Sequence, residues 1–405
     1  MKKLVALILC MAMLCVSLAA LADGPATIEF VGLKSEVQEV MKSIIADFEA
    51  ENPDIHVEYA FNPDGASGLA SRISNGTTPD LMNIYPLEAQ YRAYYDNGYI
   101  VDLSGEAFMG NIEQTMLDLC SYNGKQIGIP FTLSTYGIYY NKDIYAELGL
   151  EVPTTMDALI ANAKACKEAG YDAFTLPMGA SQGQITERLL GALDGATHEK
   201  FAQVAAGELD IHDVPSIKGY AELMLALMPL STEDALGLDY NGATQDFVTG
   251  KAAMRFDGSW FMGSIVAAAP DMNFGYFAIP SAVSATPVVP VNVDTTVGMS
   301  ATTKHPEACL KFLEYLTRPE VAEKYYQVDG NINMVKGVAY DKAQLMDVYN
   351  TVMSGNMSIT QINQWGANGV LVRQDLGAAI QGLFADQDLD AYYDACAAVI
   401  ADDWE

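Results

Sequence analysis

The sequence has 405 residues, of which half are apolar, and a formal net charge of −30 at neutral pH. This length exceeds the size at which a single hydrophobic core stops growing, so we expect two lobes. The apolar content is sufficient for sizeable cores, and the absence of low-complexity tracts excludes a disordered protein. A strongly acidic surface repels nucleic acid and anionic lipid, so we expect no nucleic-acid partner.

The first 22 residues have the features of an export signal. Two lysines form a charged start, an apolar run follows, and residues 20–22 supply the small-x-small pattern of a cleavage site. We predict cleavage after Ala22 and an exported protein, extracellular or in the cell envelope, either periplasmic or associated with the cell surface. An uncleaved anchor is the alternative. Lipid attachment at Cys15 is disfavoured, since Leu14 stands where the bacterial lipoprotein pattern has a small residue.

The next part of the chain alternates between strand and helix patterns. Residues 27–31 and 55–60 are predicted strands, and residues 81–85 form a further apolar strand. Residues 36–50 place apolar side chains at the spacing of one buried helix face, and a second helix-like run lies near 69–75. This order is typical of a mostly parallel sheet with helices on its faces.

The central stretch, residues 128–155, is interpreted as a passage between two lobes. One strand stops at Pro130, which cannot donate to a strand ladder, and a second is predicted over residues 136–140. An ordinary strand–loop–strand within one domain is the alternative. The residues of this crossing that we expect to face the space between the lobes are Thr132, Ser134, Thr135 and Tyr136.

Beyond this crossing, the strand and helix patterns restart. Asn141 lies in the turn into a helix that ends at Gly149, a natural left-handed cap, and Thr154 or Thr155 caps the following helix. Further predicted elements are helices over residues 184–193, 218–228, 305–316 and 319–326, strands over 173–178 and 252–256, a strand-rich region over 274–299 and a helical tail from 342.

The sequence gives no indication of a metal or cofactor. The histidines are scattered without ligand spacing, and residues 386–390 lack the glycine and glutamate of a calcium loop. No phosphate loop or dinucleotide fingerprint is present. A chain this long does not need disulfides, although an exported one permits them, so we expect buried free thiols. The cysteines concerned are Cys120, Cys166, Cys309 and Cys396.

An ordered set of motifs carries a family resemblance. TPDLMNIY is followed by IGIPFTLSTYGIYYNKDIYAELGLEVPTT, FVTGKAAMRFDGSW, HPEACLKFLEYLTRPEVAEKY and ITQINQW. This succession resembles the carbohydrate-type extracellular solute-binding proteins of bacterial ABC importers, the group that includes maltose-binding protein. The resemblance covers nearly all of the chain beyond residue 22.

The resemblance implies an α/β protein with the two-lobed periplasmic-binding-protein-like fold, in which two mixed sheets are flanked by helices. It implies a carbohydrate ligand, for which we expect an oligosaccharide, captured by lobe closure without catalysis and delivered to the permease subunits of an ABC transporter. We expect a monomer with hinges near Thr132 and Val291. The expected lobes are residues 23–131 with 293–332, and residues 132–292 with 333–405.

The resemblance, carried over by position, also implies a set of ligand-facing residues. Both tryptophans in this set fall where the family often stacks a ring on a sugar face, and core burial is the alternative for each. Asp257 and Asn292 are added as hydrogen-bonding candidates. The residues implied by position are Lys34, Ser35, Glu36, Tyr85, Ser134, Thr135, Gln182, Gln184, Trp260 and Trp365.

Two rival functions stay open on the sequence. Residues 179–183, GASQG, match the G-x-S-x-G pattern of a hydrolase whose nucleophile would be Ser181. A binding protein for another solute, such as a polyamine, would use carboxylates such as Asp257 and Glu36. Trp404 is expected to pack against a helix.

Overall fold

The structure is a computed structural model that describes residues 25–403, apart from the side chains of residues 180, 367, 402 and 403. The predicted signal peptide and Trp404 lie outside the described residues. None of the described helices is both long and apolar enough to cross a bilayer.

The described residues form twelve strands and sixteen α-helices. The strands are Ala26–Gly32 (β1), Ile55–Phe61 (β2), Leu81–Ile84 (β3), Ile129–Pro130 (β4), Thr132–Asn141 (β5), Asp172–Thr175 (β6), Ala252–Gly258 (β7), Phe274–Phe277 (β8), Val289–Val293 (β9), Thr296–Met299 (β10), Ile332–Asn333 (β11) and Met357–Ile359 (β12). The helices are Gln38–Glu51 (α1), Gly65–Ser74 (α2), Ala89–Asp96 (α3), Gln114–Cys120 (α4), Lys142–Leu148 (α5), Met156–Glu168 (α6), Met178–Leu193 (α7), Thr197–Ala205 (α8), Pro215–Leu227 (α9), Tyr240–Val248 (α10), Phe261–Ala268 (α11), Pro306–Leu316 (α12), Pro319–Asp329 (α13), Met346–Met353 (α14), Gly369–Asp386 (α15) and Leu389–Asp403 (α16).

The first sheet has the strand order β2-β1-β3-β10-β4. Its first three strands are parallel, as the alternation of strands and helices predicts, whereas β10 runs antiparallel to both of its neighbours. The apolar face of α1, which includes Ile44 and Phe48, packs on this sheet as predicted from its spacing. We call this sheet and the helices packed on it the first lobe.

The second sheet has the order β12-β9-β5-β7-β6, and β8 and β11 also pair with β5. Strand β5 is its centre, since β7, β8, β9 and β11 all run antiparallel to it. Helices α7, α9 and α15 bury one face of the sheet in a second core. We call this sheet and its helices the second lobe. Two mixed sheets flanked by helices confirm the predicted fold class.

Local capping around β5 follows the prediction. The Asn141 side chain accepts hydrogen bonds from two backbone N–H groups at the start of α5, and Gly149 ends that helix with a φ of 65°. Thr155 then caps α6 by accepting from the Ala158 N–H at 3.2 Å. These caps confirm the helix boundaries predicted on either side of Gly149.

The chain passes between the sheets at three places. Only Phe131 separates β4 of the first sheet from β5 of the second, residues 294–295 join β9 to β10, and residues 330–331 join α13 to β11. The first two lie beside each other: the Phe131 and Thr132 N–H groups both donate to the Thr295 carbonyl. The crossing predicted as a link between two strands is therefore the first half of a single strand.

The hydroxyl groups of this crossing are used inside the sheet. Thr132 accepts a hydrogen bond from the Thr295 N–H at 3.1 Å, Ser134 donates to the Asn292 carbonyl at 3.2 Å, and Thr135 lies 3.4 Å from the Tyr276 hydroxyl. All three residues are buried. The expectation that they face the space between the lobes is wrong in this structure, because Thr295 of the adjoining crossing, Asn292 of β9 and Tyr276 of β8 take these hydroxyl groups as partners.

The four described cysteines are buried and free, as expected. Burial raises the pKa of Cys166 and of Cys309 to about 11, so both thiols stay protonated at neutral pH.

We predict that Gly137→Ala destabilises the protein by about 1–3 kcal/mol, the usual cost of overpacking. A Cβ at this β5 position would lie 2.6 Å from the Phe277 carbonyl oxygen and 3.0 Å from the Tyr276 ring. The matched control is Gly382→Ala in α15, where no described heavy atom lies within 4 Å of the added Cβ. The control should gain up to about 1 kcal/mol of helix propensity. Urea unfolding measures both variants, and equal stabilities would contradict this account of β5.

Candidate functional site

A hollow on the second lobe combines aromatic faces with hydrogen-bonding groups. It lies where β5, β7, α7 and the start of α10 meet. Its lining residues are Tyr136, Pro177, Ser181, Gln184, Ile185, Arg188, Tyr240, Phe256, Asp257 and Trp260. Three of the residues predicted to bind ligand, Gln184, Asp257 and Trp260, are brought together here.

Trp260 and Tyr136 form an aromatic platform, the name we keep for this pair. Their ring centroids are 6.4 Å apart and their planes are inclined by 38°. The indole lies directly over Gly258, where an added Cβ would come within 1.9 Å of the ring. Glycine at this strand end is therefore what allows the tryptophan to fold back against β7.

Asp257 is held in one orientation by a buried ion pair. The Arg255 guanidinium donates from Nε to Oδ2 of Asp257 at 2.8 Å, and the Gly258 N–H donates to Oδ1 at 2.8 Å. Arg255 is completely buried, with its guanidinium carbon 4.5 Å from the Tyr240 ring centre and 4.1 Å from that of Phe261. Asp257 thus presents a fixed acceptor to the hollow, with its charge balanced from behind.

The polar wall of the hollow is the beginning of α7. Ser181, Gln184 and Arg188 follow one another at helical spacing, so they share one face of the helix. This helix was predicted from residue 184 and begins at Met178 instead, so GASQG forms its first turns. The Ser181 N–H makes an ordinary helical hydrogen bond to the Pro177 carbonyl at 2.9 Å. A nucleophile elbow requires a sharp strand-to-helix turn at the serine, which this segment is not.

Tyrosines and a glutamate from the first lobe lie near the hinge. Burial raises the pKa of Tyr59 to about 12, and the Glu36 carboxylate adds to this shift. Burial likewise raises the pKa of Tyr85, and the Asp294 carboxylate adds to it. Tyr85 is partly exposed and follows directly on β3, and its contact with a ligand stays a prediction.

Lys34, predicted to face the ligand, is instead the centre of a buried ion cluster. Its ammonium lies 2.6 Å from Asp294, 2.5 Å from Asp329 and 3.6 Å from Glu36. Burial alone would lower the pKa of Lys34, but the carboxylates of Asp294 and Asp329 outweigh it and raise the pKa well above its ordinary value. With 7% of its surface exposed, Lys34 has its charge satisfied within the protein.

Hydrogen bonds extend this ion cluster to the second lobe. The Asn331 amide donates to Asp294, and Ser259 donates to the Asn331 Oδ1. Ser259 in turn accepts from the Thr135 N–H at 3.0 Å. One continuous chain of polar contacts therefore runs from the loop after β1 to the residue next to Trp260. We call it the hinge network.

A second group of charges lies across the cleft. Glu88, at the start of α3 in the first lobe, interacts electrostatically with Arg188 and Arg373 of the second lobe. Burial raises the pKa of the Glu88 carboxyl to about 7, with the two arginines acting in the opposite direction. Glu187 is buried and accepts a hydrogen bond from the Ile362 N–H at 3.1 Å.

Trp365 differs most from its predicted placement. It is 1% exposed and stacks on Phe201 at 5.9 Å inside the second core, so its ring forms no part of the cleft surface. Its indole N–H finds no hydrogen-bond partner among the described residues. The aromatic pairing within the core, which the local sequence does not reveal, is the physical reason for this correction.

The other predicted residues are spread around the cleft. Ser35 is exposed beside Glu36, and Gln182 is partly buried where α7 meets α15. Asn292 accepts a hydrogen bond from the Asn363 amide at 2.7 Å and is partly exposed. These three residues do not line the hollow, and their contact with a ligand stays a prediction.

Sequence reasoning missed several residues that the structure places at the site. Arg188 could have been found, because it continues the helical face of Gln184 by one turn. Tyr240 and Glu88 carry no such local signal, since only the folded chain brings them near the platform and the cleft.

The sequence comparison with known families decides the classification. Residues 34–323 match the model of the bacterial extracellular solute-binding proteins. The chain belongs to this family. A "Multiple sugar-binding protein" of Streptococcus mutans is 33% identical over 333 residues, which cover 79% of this chain and 78% of that relative. This confirms the resemblance stated from the sequence motifs.

Solved structures agree with this classification. The solute-binding protein RafE in complex with raffinose superposes with a TM-score of 0.83 at 27% identity, covering 93% of this chain and 99% of that one. The apo form of RafE from Streptococcus pneumoniae gives a TM-score of 0.78 at 27% identity, covering 94% and 98%. The two-lobed fold of this solute-binding protein is therefore shown over nearly its whole length.

We predict that Lys34→Met lowers the free energy of unfolding by about 3–5 kcal/mol, because it leaves two buried carboxylates without their partner. The loss should be smaller at pH 5 than at pH 8, since an unpaired buried carboxylate takes up a proton. Lys42→Met is the control: Lys42 pairs with Glu39 on the exposed side of α1, and its loss should cost at most about 0.5 kcal/mol. Chemical unfolding at both pH values measures the difference, and equal losses in the two variants would contradict it.

We predict that Glu88→Gln flattens the pH dependence of stability between about pH 4.5 and 7. The folded pKa of about 7 exceeds the usual value, so the folded state holds a proton that the unfolded chain has lost, and stability falls as the pH rises through this window. Removing the carboxylate should abolish this part of the fall. Unfolding curves at pH 5 and 8 compare the variant with wild type and with Glu58→Gln, a charge loss at an exposed strand position.

Proposed function

We propose that the protein captures a carbohydrate, in particular an oligosaccharide, between its two lobes and delivers it unaltered to the permease subunits of an ABC importer. The observation that carries this proposal is the platform of Trp260 and Tyr136 beside the fixed carboxylate of Asp257. Flat aromatic faces suit the C–H faces of a pyranose, and a directed acceptor suits its hydroxyl groups.

The chemistry of the hollow supports a neutral polar guest. Asp257 has its charge balanced by Arg255, and the hydroxyl of Ser181 and the amide of Gln184 lie on the same wall. A polyamine site would instead need several carboxylates without internal partners, whereas Glu36 lies 3.6 Å from the ammonium of Lys34. The balance of charges therefore favours a sugar over a polycation.

Relatives named for sugars support the same guest class. The Streptococcus mutans relative is a multiple sugar-binding protein, and RafE is described in complex with raffinose. Superposition on the raffinose complex gives a higher TM-score than superposition on the apo form. Raffinose is accordingly the first sugar to test.

Lobe closure supplies the mechanism. The second lobe would contribute Trp260, Asp257 and Gln184, and the first lobe Tyr85 and Glu36. A guest that touches both lobes favours the closed state by its differential affinity for that state. The three crossings serve as hinges, and we propose that the lobes divide near residues 131, 293 and 332. No bond is made or broken in the guest.

The proposed setting follows from the family and the export signal. Cleavage after Ala22 would release a monomer outside the cell or in the cell envelope, where it meets the permease. The acidic character of the chain keeps it soluble and away from anionic surfaces.

We predict that Trp260→Ala weakens binding of the cognate sugar at least about tenfold, the scale expected when a central aromatic contact is truncated. Calorimetry with a panel of mono- and oligosaccharides that includes raffinose identifies the sugar and compares the proteins. Trp365→Phe is the matched control: it should lower the unfolding temperature through loss of core packing and leave the affinity unchanged. Absence of binding to every sugar, or hydrolysis of a bound one, would overturn the proposed function.

A further inference from the structure

The hollow is too small to hold a sugar ring, although its aromatic and polar walls suit one. Its volume is about 40 Å³, which is room for roughly one water molecule, whereas pockets for small organic ligands measure about 300–1,000 Å³. All ten lining residues belong to the second lobe. A rigid movement of one lobe against the other therefore leaves the walls of this hollow unchanged, and a guest gains room within it when a side chain of the second lobe moves.

Arg188 is the side chain that fills the space. Its guanidinium carbon lies 5.4 Å from the Tyr136 ring centre and 5.3 Å from the Trp260 ring centre, so one cation lies over both faces of the platform. The six-membered ring of Trp260 is already packed against Gly258. A sugar ring that stacks on the platform must therefore compete with this guanidinium for the same surface.

The guanidinium is not fixed there by an ion pair. The arginines in described ion pairs are Arg72, Arg255 and Arg318, and among the described residues Arg188 donates only to the Gln184 carbonyl, at 3.5 Å. Arg188 is partly exposed, on a long and flexible stem. Its position depends on the two rings, which makes it the movable part of the wall.

We propose that Arg188 is a built-in occupant of the Trp260–Tyr136 platform and determines which guests bind, because a sugar stacks there only by displacing its guanidinium. This inference rests on the proposed function and adds a competing residue to it. The stacking of a small or poorly matched guest contributes less free energy than the two cation–π contacts that it would displace. The occupied platform therefore selects for sugars that cover both rings.

The test is the affinity of Arg188→Met, which keeps an unbranched side chain without the cation. Because no cation–π contact has to be broken, it should bind the cognate sugar about two- to thirtyfold more tightly than wild type, the range that corresponds to such contacts. Arg188→Gln is the second variant, in case the first folds poorly. Arg318→Met is the matched control, since the exposed Arg318 side chain places its guanidinium 4.7 Å from the Tyr315 ring and its loss should leave affinity unchanged.

A second readout needs no sugar. In the unliganded protein, loss of Arg188 should change the tryptophan emission spectrum, whereas loss of Arg318 should not. Wild-type binding together with equal or weaker binding by both Arg188 variants would overturn this inference alone, and Arg188 would then be a direct donor to the guest or a bystander. Absence of sugar binding by wild type and variants alike would overturn the proposed function and, with it, this inference.

Discussion

The ion cluster around the Lys34 ammonium is the interaction on which the arrangement of the two lobes depends. A buried ammonium costs several kcal/mol in lost hydration unless carboxylates neutralise it at close range. Asp294 and Asp329 do so: Asp294 lies on the second passage of the chain between the sheets, and Asp329 ends α13 directly before the third. Asn331 and Ser259 extend the same network to β5, where the first passage enters the second sheet. Hydrogen bonds and ion pairs thus connect three crossings that are far apart in sequence to the Lys34 ammonium. The connection ends at Ser259, which directly precedes Trp260 of the aromatic platform.

The site divides unequally between the lobes. The second lobe contains a complete small hollow, with Asp257 fixed by Arg255 and Trp260 seated on Gly258. In the proposed function, the first lobe would contribute Tyr85 and Glu36. A guest held by the second lobe alone has no preference for the closed state, since only differential affinity shifts such an equilibrium. Residues of the first lobe that touch the guest are therefore what would convert binding into closure.

Sequence periodicity and capping predicted most of the elements, because hydrophobic spacing and end signals such as Asn141 and Gly149 are local properties. The same reasoning failed where partners lie far away in the chain. Trp260 and Trp365 both stand at the start of an element, yet one lines the hollow and the other stacks on Phe201 in the core. Thr132 and Ser134 looked like a ligand-facing crossing and instead bond to Thr295 of the neighbouring passage and to Asn292 of β9. No local pattern distinguishes these outcomes.

The sequence by itself determined that this is a two-lobed α/β protein of the solute-binding family, since this follows from length, alternation of elements and the order of motifs. The tertiary structure decided that Lys34 is a structural charge, that Trp365 is core, and that Arg188 covers the aromatic platform. The reason is physical. Periodicity reports which face of an element is buried, whereas the role of a polar or aromatic side chain depends on the neighbours that desolvate or pair with it, and those come from distant segments.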